Sequence, residues 1–337
     1  MFNNFMERYG ASIDDEMRRV VDRYDHLPAT FADMIRYPMG WVNADASPYD
    51  RPTGKRIRPM LVLLSAEAAD GTWQAALPAA AAVELLHNFS LVHDDIQDNS
   101  NIRHNRPTVW KVWGQPMAIN IGDAMFALSY DALSGLKGAL PAETLLDIWD
   151  IYNHTIIELT RGQYMDMQFE TTLDVTTDDY LSMIEGKTAA LLATGCQIGA
   201  LIGSNNPARA LHFRAFGLNL GLAFQVRDDI LGIWGEPDQT GKSAATDIIS
   251  RKKSLPVLYG LSKSDELRKI YQHPHTDNAE VQRAVAILND VGALEFTREL
   301  ETSYYTQSQQ AFAATGASGE AADLLMQLVN ALFGRSH

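Results

Sequence analysis

Apolar residues recur at helical spacing along most of this 337-residue chain, whereas the alternation of apolar and polar residues that is typical of strands is scarce. Hydrophobic residues make up 46% of the sequence, and no Pro-, Gly- or Ser-rich linker or low-complexity segment divides it. The pattern predicts an all-α protein with a single domain, residues 1–337, whose helices are long enough to form a bundle around a central cavity. The predicted helices cover residues 11–27, 56–70, 76–98, 118–136, 142–172, 178–204, 207–234, 278–314 and 319–333.

Two acidic clusters, Asp94-Asp95-x-x-Asp98 and Asp228-Asp229, each end a long apolar helical stretch. In the first cluster, Asp94 and Asp98 are one helical turn apart on the same face, with Asp95 beside them. Like charges at this spacing repel each other, and a bound Mg²⁺ reverses that interaction when it takes carboxylate oxygens together with substrate phosphates. The clusters therefore predict two Mg²⁺ clamps for a diphosphate. The alternative is a pair of acidic helix ends that face solvent, but the apolar flanks are typical of core helices.

Basic residues accompany both acidic clusters. Residues 53–59 place Lys55, Arg56 and Arg58 beside a glycine at a predicted loop-to-helix junction, where free backbone N–H groups also favour phosphate. The stretch 103–106 follows the first cluster, and Lys242 with residues 251–253 follows the second. This order suits a diphosphate held between Mg²⁺ and cationic side chains, although an ordinary solvated basic turn remains the alternative for each stretch.

The charge and composition of the chain argue against several classes of partner. Its formal net charge of −14 disfavours nucleic acid and anionic membrane surfaces. The single cysteine, Cys196, rules out an internal disulfide framework. The polar, acidic N-terminus does not resemble a signal peptide, and no uninterrupted apolar run approaches the roughly eighteen residues that span a membrane. We therefore expect a cytoplasmic protein without a transmembrane segment.

Five motifs follow one another along the chain: Gly-Lys-Arg-x-Arg-Pro at 54–59, Asp-Asp-x-x-Asp at 94–98, Gly162-Gln163 with Asp166, Lys187-Thr188, and Phe-Gln-x-Arg-Asp-Asp at 224–229. In this combination and order the chain resembles the trans-prenyl diphosphate synthases of the polyprenyl synthetase family over nearly its whole length. The resemblance implies an isoprenoid synthase-type helical bundle around a deep central cavity, usually assembled as a homodimer. It also implies Mg²⁺-dependent head-to-tail condensation of isopentenyl diphosphate with an allylic diphosphate.

The resemblance further implies roles for individual side chains. By this resemblance, three Mg²⁺ ions per active site are expected to bind to Asp94, Asp95, Asp98 and Asp228. Asp229 is expected to assist from the outer coordination shell. Isopentenyl diphosphate is expected to bind to Lys55, Arg58 and His87. The allylic diphosphate is expected to bind to Arg103, Lys187 and Lys242. The residues expected to be catalytic are Lys187, Thr188 and Gln225, and by the resemblance the side chains of Thr188 and Gln225 face the allylic cation. The alternative for Thr188 and Gln225 is that they only form hydrogen bonds within or between helices.

The length of the product is predicted from Phe89, which stands five residues before Asp94. In the family that the chain resembles, side chains just upstream of the first acidic cluster close the pocket in which the product grows. An aromatic ring there occupies the volume that further isoprene units need, so we expect a short product, geranylgeranyl or farnesyl diphosphate. The alternative is that Phe89 only fills a helix–helix contact.

Two positions depart from the family pattern: Gly232 replaces a third Asp in the second cluster, and His104 replaces the second Arg of a pair after the first. Both changes concern diphosphate binding. At position 104 a neutral imidazole lacks the charge and the fork of N–H donors that Arg would provide. They keep two alternatives open, a terpene cyclase on the same scaffold and a non-catalytic subunit of a heteromeric synthase. The basic set Lys55, Arg58 and His87 argues against the cyclase, and the complete first cluster argues against the subunit. The basic Gly-Lys-Arg motif disfavours head-to-head condensing enzymes.

Overall fold

The computed structural model describes residues 5–49, 54, 56–172, 174–235, 245–272 and 277–333. Nearly all regular structure in these residues is helical, and the exceptions are a two-stranded antiparallel hairpin and an isolated bridge between Val42 and Pro48. The prediction of an all-α protein is therefore confirmed. Contacts divide the chain into two compact units, and the single-domain prediction is not tested by that division. Unit 1 comprises Met1–Ile148, Ile198–Asn206 and Gly319–Leu325; unit 2 comprises Trp149–Gln197, Pro207–Ser318 and Met326–His337.

The helices are numbered here in chain order. A π-helical turn, Met6–Gly10, leads into α1 (Ala11–Asp22), followed by α2 (Ala29–Arg36), α3 (Ile57–Ala68), a 3-10 turn (Trp73–Ala76) and α4 (Leu77–Gln97). The strands β1 (Ile102–Arg103) and β2 (Arg106–Pro107) precede α5 (Val109–Trp113), α6 (Gln115–Leu133), a 3-10 turn (Ser134–Leu136) and α7 (Ala142–Thr171). Then come α8 (Thr177–Ile184), a π turn (Glu185–Ala189), α9 (Ala190–Ser204) and α10 (Pro207–Trp234). The remaining helices are α11 (Thr246–Ile249), α12 (Leu255–Lys263), α13 (Asp265–Gln272), α14 (Asn278–Asp290), α15 (Ala293–Ala314) and α16 (Glu320–Phe333).

The long predicted helices are present, but two of them are interrupted. The predicted helix 278–314 is two helices, because Gly292 adopts a left-handed conformation (φ 75°) between α14 and α15. The predicted helix 178–204 contains the π turn, which inserts one extra residue per turn between α8 and α9. The sequence prediction missed the short helices α2, α5 and α11 to α13.

The core of unit 1 is built on α4, which packs against α3 and α6. Four consecutive alanines at 79–82 are fully buried on α4, and their small side chains allow neighbouring backbones to approach closely. By length and composition alone, the stretch Trp73–Gln97 could cross a membrane, which the sequence prediction did not anticipate. Because 61% of its most apolar window is buried within the protein, its surroundings are those of a core helix.

The core of unit 2 is built on α10, which packs against α15 and against the π turn. Gly217 and Gly221 permit the close approach on one side of α10. A Cβ at Gly217 would lie 2.7 Å from the carbonyl oxygen of Leu192, and one at Gly221 would lie 2.6 Å from Cα of Ala189. Contact at this distance places α10 directly against the segment that carries Lys187 and Thr188.

Candidate active site

The first acidic cluster forms the C-terminal end of α4, where Asp98 is the capping residue. Asp94 and Asp98 lie on the more exposed face, whereas Asp95 is only 4% exposed. Arg103, on β1, donates a hydrogen bond from Nε to Oδ1 of Asp95 at 2.9 Å. Burial raises the pKa of Asp95 and the charge of Arg103 opposes that rise. The cluster thus has two outward carboxylates and one inward carboxylate that fixes Arg103.

The hairpin that carries Arg103 is closed by a two-residue turn, His104 and Asn105, both with positive φ (51° and 60°). Two left-handed residues in a two-residue hairpin loop are typical of a type I′ turn, and His and Asn adopt this conformation more readily than most residues. Arg106 anchors the hairpin by donating to the backbone oxygens of Tyr37 (3.2 Å) and Val42 (2.6 Å). Arg106 therefore has a structural role, although sequence reasoning grouped it with the diphosphate-binding cations.

A cavity of about 550 Å³ lies beside the hairpin in unit 1, and its lining includes Arg58, His87 and His104. Arg58 donates a hydrogen bond from Nη1 to Nε2 of His87 at 3.1 Å. Burial and the charge of Arg58 hold the pKa of His87 well below its ordinary value, so the ring is the neutral acceptor. Partial desolvation, with Arg103 and Arg56, also lowers the pKa of His104. Arg58 and His87, two of the three residues predicted for isopentenyl diphosphate, are in contact, whereas the third, Lys55, lies outside the described residues.

Arg56 belongs to the same basic motif but is almost fully buried. Its guanidinium donates to Oε1 of Glu84 (2.7 Å), Oδ1 of Asp14 (3.0 Å) and the backbone oxygen of Met39 (3.2 Å). Arg56 adopts a left-handed conformation (φ 48°) at the start of α3, which turns its side chain toward α4. The ion pair with Glu84 was missed by sequence reasoning. The available signal was a single acidic residue inside the alanine-rich, otherwise apolar stretch of α4.

Of the side chains predicted for the allylic diphosphate, Lys187 lies in unit 2, on the π turn between α8 and α9. Lys187 forms a short ion pair with Asp166 on α7. The glycine of the Gly162-Gln163 motif makes this possible, because a Cβ at Gly162 would lie 2.2 Å from the backbone nitrogen of Lys187. A π turn in a long helix is frequent at functional sites, since the extra residue redirects the side chains that follow. Lys242 lies outside the described residues.

Thr188 and Gln225 are joined by a hydrogen bond, in which Oγ1 of Thr188 donates to Oε1 of Gln225 at 3.0 Å. Nε2 of Gln225 donates in turn to Oδ1 of Asp229 at 3.2 Å. The hydroxyl of Tyr180 and the backbone N–H of Leu255 donate to Oδ2 of Asp229, at 2.6 and 3.2 Å. Burial raises the pKa of Asp229, and Nζ of Lys252, 3.8 Å away, opposes the rise. Tyr180 and Lys252 hold this chain of contacts in place; sequence reasoning missed Tyr180 and included Lys252 only as part of the basic stretch 251–253.

The second acidic cluster, like the first, combines a buried carboxylate with an exposed one. Asp229 is fully buried in the contacts just described, whereas Asp228 is exposed. The first cluster belongs to unit 1 and Asp228 to unit 2, so their joint action on one diphosphate remains a prediction.

Phe89 lies in unit 1 among aromatic side chains. Its ring centroid is 4.8 Å from that of His93 on the same helix and 5.0 Å from that of Phe126 on α6. Phe126 extends the row to Tyr130, at 5.4 Å. Phe89 is only partly buried, so its ring is not simply enclosed in a helix–helix contact. The row of rings fits a floor for an apolar pocket, and the predicted role in product length stays a prediction.

Within the described residues, no group of three or more His, Cys, Asp or Glu side chains is arranged to hold a metal ion by itself. Mg²⁺ needs no such cage, because it keeps several waters and binds through one or two carboxylates and substrate phosphates. Asp94 and Asp98, one turn apart on the exposed face of α4, fit this kind of shared coordination. The residues present are therefore compatible with Mg²⁺ that arrives with a diphosphate.

Comparison with known proteins gives consistent matches. The model of the family described as polyprenyl synthetase matches residues 41–288. A (2E,6E)-farnesyl diphosphate synthase of Mycobacterium tuberculosis is 42% identical over 248 residues, which cover 73% of this chain and 67% of the relative. A geranylgeranyl diphosphate synthase of the same species is 40% identical over 292 residues, covering 85% and 82%. The crystal structure of a polyprenyl synthetase from Streptomyces coelicolor A3(2) superimposes with a TM-score of 0.89 at 33% identity, covering 98% of this chain and 99% of the other.

Proposed function

The chain belongs to the polyprenyl synthetase family, and we propose that it condenses isopentenyl diphosphate head to tail with an allylic diphosphate to give a short-chain prenyl diphosphate. The relatives at 40–42% identity carry the names farnesyl and geranylgeranyl diphosphate synthase. The observation that carries the proposal is the arrangement in unit 1, where a cavity of about 550 Å³ is lined by Arg58 and His87. His87 lies on α4, the helix that ends in the first acidic cluster, and Arg58 contacts it from α3.

The cavity in unit 1 is suited to the isopentenyl diphosphate. Arg58 presents a planar fork of N–H donors, which matches two oxygens of a diphosphate, and His87 holds that fork in position as a neutral acceptor. Lys55 would add a second cation from the same motif. His104, in place of a second Arg, supplies a weaker contact at the edge of the same cavity.

The allylic diphosphate requires stabilisation of the charge that develops when its C–O bond breaks. Mg²⁺, up to three ions in our proposal, would neutralise that charge when bound together with the substrate. The direct ligands would be Asp94, Asp98 and Asp228, whereas Asp95, which the sequence predicted as a further ligand, would act through its hydrogen bond with Arg103. Arg103, fixed by Asp95, and Lys187, fixed by Asp166, are held ready to donate to the departing diphosphate, as Lys242 would be.

The allylic cation requires dipoles rather than a base that would quench it. Because Thr188 donates its hydroxyl hydrogen to Gln225, the lone pairs of its oxygen remain available to a cation. The link from Gln225 to the buried Asp229 fixes both dipoles before the substrate binds. The proton lost at the end of the condensation would pass to the diphosphate that has departed.

A homodimer is part of the proposal. On α7, the apolar side chains of Ile157, Tyr164 and Met167 are 65%, 62% and 44% exposed. Ile157 and Tyr164 are two helical turns apart and share a face, and an exposed apolar face of this kind is typical of an interface between subunits. Sedimentation equilibrium should give twice the mass of 37.3 kDa, and Tyr164→Glu should shift the protein toward the monomer. A wild-type monomer would refute this part of the proposal.

The reaction is tested with radiolabelled isopentenyl diphosphate and allylic primers of increasing length, followed by chromatography of the dephosphorylated products. We expect labelled farnesyl- or geranylgeranyl-length alcohols, and Asp94→Ala should lower turnover at least roughly a hundredfold because a charge contact in the transition state is lost. A terpene cyclase would consume the allylic primer without incorporating label. A non-catalytic subunit would give no product alone.

Product length is tested with Phe89→Ala. Removal of the ring should open the pocket and shift the products toward longer chains. The matched control is Phe312→Ala in unit 2, because Phe312 is also partly buried and its ring lies 5.1 Å from Phe216 at the same interplanar angle of 47° as Phe89 to Phe126. Both variants should lose stability, and only Phe89→Ala should change the products. An unchanged product distribution in active Phe89→Ala would show that Phe89 does not limit chain length.

A further inference from the structure

The basic side chains at the cavity of about 550 Å³ in unit 1 are not equally available to a ligand. Arg56 is paired with Glu84, and Arg58 donates to the neutral ring of His87. His104 also lines the cavity and is an exposed residue. Its ring forms no hydrogen bond within the part of the chain that the structure describes. The imidazole of His104 is therefore available to a ligand that enters the cavity.

The hairpin holds the backbone of His104 in a fixed position. His104 is the first residue of the two-residue turn and has a left-handed conformation with a φ of 51°. Arg106 follows the turn and lies between two aromatic rings, with its Cζ atom 4.0 Å from the ring centroid of Tyr37 and 4.1 Å from that of Tyr49. The hydroxyl of Tyr37 donates to the backbone oxygen of Pro107 at 2.7 Å. Because the turn is already ordered, little conformational freedom is lost there when a ligand binds.

The charged and titratable groups around His104 come from the hairpin and from three helices of unit 1. They are Arg103 and Arg106 on the hairpin, Tyr37 at the end of α2, Arg56 and Arg58 at the start of α3, and Glu84, His87 and Asp95 on α4. Both carboxylates are already paired, Glu84 with Arg56 and Asp95 with Arg103. Partial desolvation, followed by the charges of Arg103 and Arg56, lowers the pKa of His104, and Glu84 opposes this effect. Without a ligand, the ring of His104 is therefore neutral at about pH 7.5.

A diphosphate in the cavity changes the charge that His104 experiences. It brings several negative charges to a place where the nearby carboxylates are already paired with arginines. An opposite charge within about 4–6 Å favours the charged form of a histidine and raises its pKa. A protonated imidazole also forms a charge-assisted hydrogen bond with a phosphate oxygen, which is roughly twice as strong as a neutral one. Diphosphate binding and protonation of His104 therefore favour each other.

His87 is a poorer acceptor for this proton than His104. Its Nε2 atom already accepts a hydrogen bond from Arg58, and protonation of that atom would place a second cation against the guanidinium. Burial and the charge of Arg58 hold the pKa of His87 well below its ordinary value. The exposed ring of His104 has neither obstacle.

We propose that His104 binds the diphosphate of isopentenyl diphosphate as an imidazolium, and that it takes the proton from solvent when this substrate enters the cavity. The inference rests on the proposed function, because it deepens the description of the isopentenyl site. His104 stands where the family pattern has an arginine, so it provides the positive charge only while the substrate is bound. Affinity is then fully present below the pKa of the free ring. It decreases by up to about tenfold per pH unit as the pH rises toward the pKa of the bound ring.

The first test counts the protons taken up on binding. Isopentenyl diphosphate, without allylic primer or Mg²⁺, is titrated calorimetrically at about pH 7.5 in HEPES and in Tris, whose ionisation enthalpies differ. The variants are His104→Arg, which is permanently charged, His104→Asn, which keeps the left-handed turn without a charge, and the exposed control His212→Gln. The wild type and the control should take up at least about half a proton more than the two variants at position 104. Ionisation of the substrate itself is common to all four proteins and cancels in this difference.

The second test follows the KM for isopentenyl diphosphate from about pH 6.5 to about pH 8.5 at saturating primer. The KM of the wild type should rise with pH more steeply than that of His104→Arg, and His104→Arg should have the lower KM at the alkaline end. His104→Asn should raise this KM at about pH 6.5 at least about tenfold, as for the loss of a hydrogen bond to a charged group. The KM for the allylic primer should stay unchanged in both variants. A side chain that only shaped the turn would not alter the pH dependence.

The outcomes distinguish the inference from the proposed function. Equal proton uptake by the wild type and His104→Arg would overturn the inference, while the proposed function would stand. Proton uptake that disappears in His87→Gln and persists in His104→Asn would assign the proton to His87 and overturn the inference as well. If neither the wild type nor His104→Arg binds isopentenyl diphosphate or incorporates it with any primer, the proposed function is refuted and the inference with it. His104→Arg decides the test by itself if His104→Asn has a lowered melting temperature.

Discussion

Arg56 and Arg58 stand two residues apart in one basic motif, and the fold gives them different tasks. Arg58 lies at the cavity and donates to His87, whereas Arg56 is buried against Glu84 and Asp14. The left-handed conformation of Arg56 turns its side chain away from the path of the helix that follows. In consequence, one arginine positions the start of α3 and the other is left for an anionic ligand.

We predict that Arg56→Ala destabilises the protein by about 3–5 kcal/mol, because it leaves Glu84 buried and without its ion pair. Urea unfolding measures the effect. Arg19→Ala is the matched control, since Arg19 pairs with Glu16 at the surface and the loss of an exposed pair costs at most about 1 kcal/mol. Equal effects of the two substitutions would show that the buried pair contributes no more than a surface one.

His87 makes the stability of the folded protein sensitive to acid. Burial and Arg58 lower its pKa below the ordinary value, so between the lowered pKa and about 6.5 the unfolded chain binds a proton that the folded protein does not. Stability is therefore fully present above about pH 6.5 and is lost as the pH falls through this window. Melting temperatures from pH 8 to pH 5 should decrease less for His87→Gln than for the wild type or for the exposed control His26→Gln. Identical pH profiles for the wild type and His87→Gln would contradict the prediction.

Among the elements, the π turn Glu185–Ala189 has the strongest influence on the candidate site. Its backbone fits against α7 only because Gly162 and Gly186 lack side chains: a Cβ at Gly186 would lie 2.6 Å from the backbone oxygen of Glu158. This close packing fixes the direction of Lys187 toward Asp166 and of Thr188 toward Gln225. The Gly162-Gln163 motif therefore acts through the packing of the backbone.

We predict that Gly162→Ala lowers turnover about a hundredfold, because a Cβ 2.2 Å from the backbone nitrogen of Lys187 displaces the π turn and small displacements of positioning groups have effects of this size. The control is Gly292→Ala. Gly292 has a positive φ of 75° with open space around its Cα, so alanine there costs about 1–2 kcal/mol in backbone strain and does not touch the site. Steady-state kinetics and urea unfolding of both variants separate the two effects. Normal turnover in folded Gly162→Ala would show that the π turn tolerates displacement.

At the scale of the whole molecule, the chain alternates between the two units, and three of the five boundaries between them fall inside helices. The boundary at Ile148 lies within α7, the one at Gln197 within α9, and the one at Leu325 within α16. A helix that loses its hydrogen bonds over half its length loses the cooperativity that stabilises the other half. The single-domain hypothesis therefore has a physical basis that calorimetry can test.

We predict one calorimetric unfolding transition, with equal calorimetric and van't Hoff enthalpies, in the wild type. Arg56→Ala in unit 1 and Phe312→Ala in unit 2 should both shift this one transition to lower temperature. Two transitions, of which each substitution moves only one, would show that the units unfold independently and that residues 1–337 do not form a single domain.

The helices that the sequence predicted correctly and the helices that it missed are stabilised by different kinds of contact. The long helices repeat an apolar face over several turns, so their own periodicity identifies them. The missed helix α12 contains Pro256 and Gly260, two residue types that are unfavourable inside helices. In the structure Pro256 occupies the first turn, where its missing N–H costs nothing, and Gly260 makes room for Leu267 and Leu288. Contacts with residues far along the chain stabilise a helix of this kind, and the local sequence pattern does not reveal those contacts.

The sequence by itself determined the helical class, the family and the set of side chains that the site can use, because periodicity, motif order and spacing are properties of the chain alone. Only the tertiary structure decided which member of each adjacent pair faces outward. Neighbouring helical residues point about 100° apart, so either Asp94 or Asp95, and either Asp228 or Asp229, could have been the buried one. The choice depends on partners far along the chain: Arg103 satisfies Asp95, and Tyr180 satisfies Asp229.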